Sequence, residues 1–109
     1  MANTFKNKTL DGLTSYADLI PAVASSTTVV VLSMRATNVD GSSSADVDVQ
    51  FVDSDGSTDS MLASTIPVPA DSSLELVAGK LVLETGDKIQ AKASATGDIE
   101  FFVSYLEIT

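Results

Sequence analysis

Cysteine and histidine are both absent from this chain of 109 residues. Without cysteine there are no disulfides, no thiolate nucleophile and no zinc site built on sulfur. Without histidine there is no Ser-His-Asp triad, no imidazole base and no imidazole metal ligand. Tryptophan is missing too, and only six residues are aromatic: Phe5, Tyr16, Phe51, Phe101, Phe102 and Tyr105. No apolar run reaches the length of about 18 residues that a membrane-spanning helix needs. The first residues, "MANTFKNKTLDG", lack the apolar core of a signal peptide, so the chain is expected to fold in the cytoplasm where it is made. Asn7-Lys8-Thr9 matches a glycosylation acceptor, a match with no meaning for a protein that is not secreted.

Basic residues are also scarce. Six lysines and arginines stand against fifteen acids, a net charge of −9. Nucleic-acid binding rests on neutralising phosphates, so such a chain is expected to avoid nucleic acid. Lys88 and Lys92 share one strand face, too little for a phosphate track.

What is abundant is Val, Ala, Leu, Ile, Ser and Thr in a period of two, the pattern of half-buried strands. In "SADVDVQFVD", Val47, Val49 and Phe51 alternate with Asp46, Asp48 and Gln50. In "DKIQAKASA", Ile89, Ala91, Ala93 and Ala95 alternate with Lys88, Gln90, Lys92 and Ser94. Leu74 and Leu76, then Leu81 and Leu83, continue the rule. Two stretches depart from it. Residues 27–39 begin apolar on both faces, and residues 99–109 set Ile99, Phe101, Val103 and Tyr105 on one face with Phe102, Leu106 and Ile108 on the other. Strands of that kind are central in a sheet or covered on their second face.

Turn signals fall between the strands at Asp40-Gly41, Asp55-Gly56, Gly86-Asp87 and Gly97-Asp98. Pro21, Pro67 and Pro69 sit at strand ends. The only helical candidate, "SYADLIPAVA", is interrupted by Pro21. The expected fold is therefore all-β: one domain over residues 1–109, an antiparallel β-sandwich or jelly roll of about eight strands. Residues 1–10 are expected to form an arm making subunit or shell contacts. Strands apolar on both faces point to an oligomer, with a trimer preferred over a dimer or hexamer.

Each candidate site has a plainer alternative. "DSDGSTD" (53–59) resembles a calcium loop, but counted from Asp53 the fifth, sixth and twelfth positions are Ser57, Thr58 and Ser64, where acid, glycine and glutamate belong. A calcium site of Asp53, Asp55 and Asp59 is the weaker reading, and a hairpin tip the favoured one. Asp46 and Asp48, about 7 Å apart on one strand face, stand at a glycosidase spacing. With no Trp to stack on sugar, an exposed acidic face explains them better. Neither an enzyme nor a cofactor is expected. Arg35, the sole arginine, is expected to pair with an acid inside the domain or across a subunit boundary. The candidate interface residues are Phe5, Val29, Val31, Arg35, Phe102, Leu106 and Ile108. Tyr16 is the one loop aromatic that a glycan- or receptor-binding module could use.

Three segments carry a resemblance. The opening "MANTFKNKTLDGLTSY", the turn Val68-Pro69-Ala70 before "SSLEL" (72–76), and the close "LVLETGDKIQAKASATGDIEFFVSYLEIT" resemble small all-β virion proteins of tailed bacteriophages, particularly those of marine and cyanobacterial hosts. The likeness covers most of the chain and is weakest over 40–64. It implies a virion location and a partner such as the major capsid protein. The role it implies is a capsid decoration or cement protein, with a neck, tail or fibre-base component as the alternative.

Overall fold

The computed structural model describes residues 2–55, 59–77 and 79–109, with only the backbone of Asp59. Its described residues form nine strands: β1 (Asn3–Asp11), β2 (Ala17–Ile20), β3 (Thr28–Asn38), β4 (Ala45–Val52), β5 (Asp59–Val68), β6 (Ser73–Glu75), β7 (Leu81–Leu83), β8 (Lys88–Ala93) and β9 (Ile99–Ile108). One sheet runs β1-β9-β3-β6, with β7 also on β3; the other runs β2-β8-β4-β5. Every pairing is antiparallel. The chain crosses between sheets at every connection except β4–β5 and β6–β7, which is the double Greek key of a jelly roll. β6 and β7 lie end to end on β3, opposite residues 35–37 and 29–31, so they are one jelly-roll strand interrupted once.

Alternation builds the core as the sequence implies. Val47 and Val49 of β4, Ile89, Ala91 and Ala93 of β8, and Ile99, Phe101, Val103 and Tyr105 of β9 all face inward and are buried. Phe51 packs half-buried against this cluster. "ADLI" is strand β2, with Leu19 and Ile20 both buried because its pairing with β8 shifts register between Asp18 and Ile20. Pro21 follows at once, where no ladder donor is needed.

β3 departs from simple alternation. Its pairing with β9 shifts between Val31 and Ser33. Before the shift Val29 and Val31 are buried; after it Met34, Ala36 and Asn38 are. The bulge therefore exchanges odd for even on the inner face, as one extra residue must. Buried Asn38 is fully satisfied: its Nδ2 donates to Ser43 O and Val68 O, both at 2.9 Å, and its Oδ1 accepts from Asp40 N–H at 2.8 Å.

Candidate assembly surface

The two outer faces of the sandwich differ in chemistry. Outside β2-β8-β4-β5, polar groups satisfy one another. Gln50 donates to Gln90 at 2.9 Å, and Gln90 donates to Asp18 Oδ1 at 3.0 Å. Lys92 lies over the Tyr16 ring, 4.7 Å from its centroid. Tyr16 is thus held against the sheet by a cation–π contact rather than presented from a loop tip. Of the acidic pair, Asp48 accepts the Thr65 N–H at 2.8 Å. Thr65 has φ 49°, a strained value for a β-branched residue, so this carboxylate pins the irregular stretch of β5 where its register with β4 shifts.

The outer face of β1-β9-β3-β6/β7 is different. The registers align Phe5, Leu106, Val30 and Val82 in one row across four strands. Phe5 is 74% exposed and Val82 62%, with Leu106 and Val30 half-buried between them. Two rows away stand Thr9, Phe102, Arg35 and Glu75, with Phe102 41% exposed. Between these rows Ser33 and Ser104 share a hydrogen bond of 2.8 Å. Ile108, half-buried, borders the first row beside Thr28.

Five of the seven interface candidates, Phe5, Arg35, Phe102, Leu106 and Ile108, therefore lie on this one face. Val29 and Val31 do not: both point into the core, 1% and 0% exposed, because the bulge puts them on the opposite face from Arg35. Val30 holds the outward place, and Val82 joins it from β7. A run of three valines gives no parity from sequence, and only the register across β3, β7 and β9 resolves it.

Arg35 pairs inside the domain, its Nε and Nη2 each 2.8 Å from Glu75 Oε1. Residues 3–10, expected as an arm, are docked on β9 along their length as the edge strand. Lys6 bonds Glu107 at 2.9 Å, and that carboxylate, by hydrogen bond and by charge, raises the Lys6 pKa above the ordinary lysine value.

At the acidic loop, Asp53 Oδ1 accepts the Ser54 N–H at 2.6 Å. Buried Asp87 accepts from Ser54 N–H at 3.0 Å and Glu84 N–H at 2.8 Å, holding the turn closed. Residues 56–58 and the Asp59 side chain lie outside the described residues. Among the described residues no three acids gather as a metal site.

No family model matches the chain, and no curated protein matches it in sequence. Similar solved structures exist. One, described as "Bacillus endospore appendages form a novel family of disulfide-linked pili", is 18% identical, spans 99% of this chain and 87% of that one, with TM-score 0.58. The acid-stable capsid structure of Helicobacter pylori bacteriophage KHP30 is 10% identical over 100% of this chain and 89% of that one, TM-score 0.56. A structure of infectious bursal disease virus, Gx strain, is 10% identical over 96% of this chain and 32% of that one, TM-score 0.51. At these identities the likeness is one of fold: the chain shares the β-sandwich of proteins that build capsids and pili.

Proposed function

We propose that the chain is a structural subunit of a phage particle, a decoration or cement protein that binds the capsid lattice as an oligomer and reinforces it. The observation that carries this reading is the four-strand apolar row on one outer face, facing away from a core that is already complete. An exposed apolar stripe bounded by polar rows is the usual mark of a surface built to be covered. Burial returns about 25 cal/mol per Å² of apolar area, a small gain per copy that repetition over a shell multiplies. The similar structures point the same way, since two that match over nearly their whole length are described as a pilus and a phage capsid. The pili are described as disulfide-linked; this chain has no cysteine, so disulfides do not link its copies in this reading. Its role in this reading is non-enzymatic, its partner the major capsid protein or another virion protein, and its net charge of −9 keeps it off the packaged genome.

Copy number in purified virions tests the proposal. Several hundred copies per particle support a lattice-binding protein. Six or twelve copies would refute it in favour of a ring in the neck or tail, the alternative that shares the same fold.

A further inference from the structure

β1 is an outer edge of its sheet, and its register shows which backbone groups it leaves open. Ala2 and Thr109 exchange both backbone hydrogen bonds, at 3.1 and 2.9 Å, and Gly12 N–H donates to Ile99 O at 2.7 Å. Bonded residues alternate along an antiparallel pair. The even residues of β1 therefore bond to β9, while Asn3, Phe5, Asn7 and Thr9 direct N–H and C=O away from the sheet. This strand runs nine residues with no bulge, glycine or proline.

The other three edges are each spoiled for pairing. β2 is four residues long, with a register shift, and Pro21 follows it. β5 carries Pro67 and two register shifts against β4. The β6/β7 edge is broken into two pieces of three residues. Edge lysines ordinarily deter strand addition, but both lysines of β1 are engaged at home. Lys6 bonds Glu107, and Lys8 Nζ donates to Asp18 O at 3.0 Å.

We propose that this edge is completed by β1 of a second copy of the chain, antiparallel about a two-fold axis at Phe5, joining the two sheets into one. This goes beyond the virion reading and stands or falls independently of it. Charge selects the meeting place. Residues 2–10 hold two of the six basic residues and none of the fifteen acids, so two copies of net charge −9 approach with least repulsion here.

Charge also selects the register. An axis at Lys6 would set the two copies of Lys6 opposite each other, and an axis at Asn7 would set Phe5 against Thr9. With the axis at Phe5, Lys6 stands opposite Thr4 of the second copy. Glu107 of that copy lies one strand further, about 10 Å away between backbones, a span two extended side chains cover. Phe5 then faces Phe5, an aromatic cross-strand pair, and the apolar row extends from four strands to eight. Such a contact suits a dimer, or a hexamer built from dimers, and not the plain trimer expected from sequence.

Because the chain lacks cysteine, Phe5→Cys and Thr9→Cys each introduce a single thiol. Pairing about Phe5 brings the two Phe5 Cα atoms to about 5.5 Å, within disulfide reach, and leaves the two Thr9 positions far apart. The expected results are a wild-type mass near twice 11.3 kDa by sedimentation, an oxidised Phe5→Cys dimer, and no Thr9→Cys dimer. The amides of Phe5 and Asn7 should exchange slowly in concentrated protein and quickly on dilution. Phe5→Glu, at an exposed position, should keep the folded circular-dichroism spectrum and weaken the dimer more than about tenfold by opposing like charges. A wild-type monomer at sub-millimolar concentration overturns the proposal, as does crosslinking at Thr9 instead of Phe5. Partner capture by β1 from a different protein, with no self-association, would equally refute it.

Discussion

Replacing Asn38 tests how the sandwich is tied shut at one end. Its side-chain amide makes three hydrogen bonds, to Ser43 O, Val68 O and the Asp40 N–H, and the residue is 1% exposed. It thereby joins the end of β3 to the loop that follows and to the end of β5. In Asn38→Ala all three partners lose their bond, and the bond to the Val68 carbonyl is a buried one. At about 1 kcal/mol per net bond, and more for the buried one, the loss is about 3 kcal/mol. Against a usual domain stability of about 5–15 kcal/mol, that is a large share. With a urea slope of about 2 kcal/mol per molar, the midpoint should fall by about 1.5 M.

Asn38→Asp sharpens the test through pH. An ionised carboxylate only accepts hydrogen bonds, so it would face two carbonyl oxygens with nothing to donate. Burial and those oxygens raise the folded-state pKa above the unfolded value of about 3.9. A raised carboxylate pKa means the folded state binds more protons than the unfolded one, so stability falls as pH climbs from the unfolded value toward the folded value. Even protonated, the acid has one O–H for two carbonyls, so one of them stays unpaired while the Asp40 N–H keeps its acceptor. Urea melts at about pH 5 and about pH 7 should therefore show Asn38→Asp losing stability with rising pH relative to wild type. Asn38→Ala melting within about 0.5 kcal/mol of wild type, or Asn38→Asp tracking the wild-type pH dependence, would refute the reasoning.

Two further outcomes follow from particular residues. Val31→Ala should cost about 2 kcal/mol in chemical denaturation, whereas Val30→Thr, one position away on the outer face, should change folding stability by less than about 0.5 kcal/mol. Asp40 has its pKa lowered below 3.8, first by the Ser42 N–H and then by the Ser42 hydroxyl. Its contribution is therefore present above the ordinary aspartate value and lost as pH falls through the depressed one, and a carboxyl NMR titration should show Ser42→Ala removing only the smaller part of the shift.

Strands that alternate without interruption were legible in the sequence. Ile89, Ala91 and Ala93 of β8 read inward and are built that way, while Ala95, read as continuing them, lies beyond the strand's end and is only half-buried. β3 was not, because the bulge at Leu32 and Ser33 reverses parity and no glycine or proline marks it. Hence Val29 and Val31 were expected on the contact face that Val30 occupies. The apolar row was half legible: two stretches stood out as apolar on both faces, but Phe5, Val30, Val82 and Leu106 come from four distant segments that only strand order brings together. Asn38 and Asp87 escaped for the same reason. A polar residue, in a strand as Asn38 is or in a turn as Asp87 is, looks like any other until its partners, 2 to 33 residues away, are in place.

The distribution of interruptions among the edges bears on how such a subunit limits its own growth. A head-to-tail addition of β1 to the β6/β7 edge of the next copy would carry the Phe5 row onward from Val82 without end, since that contact does not close on itself. The break between β6 and β7 removes the long partner that such a filament needs. Pro67 and the register shifts of β5 do the same for the second sheet. What is left is an edge whose best-matched partner is its own copy, and an isologous contact of that kind is satisfied after one addition. The apolar row, doubled to eight strands and still open on its outer face, would then be free for a different surface, with the net negative charge of both copies opposing further self-stacking. Strand addition at the edge and apolar docking on the face are thus separable contacts, and Phe5, which belongs to both, is the residue where changing one should change the other.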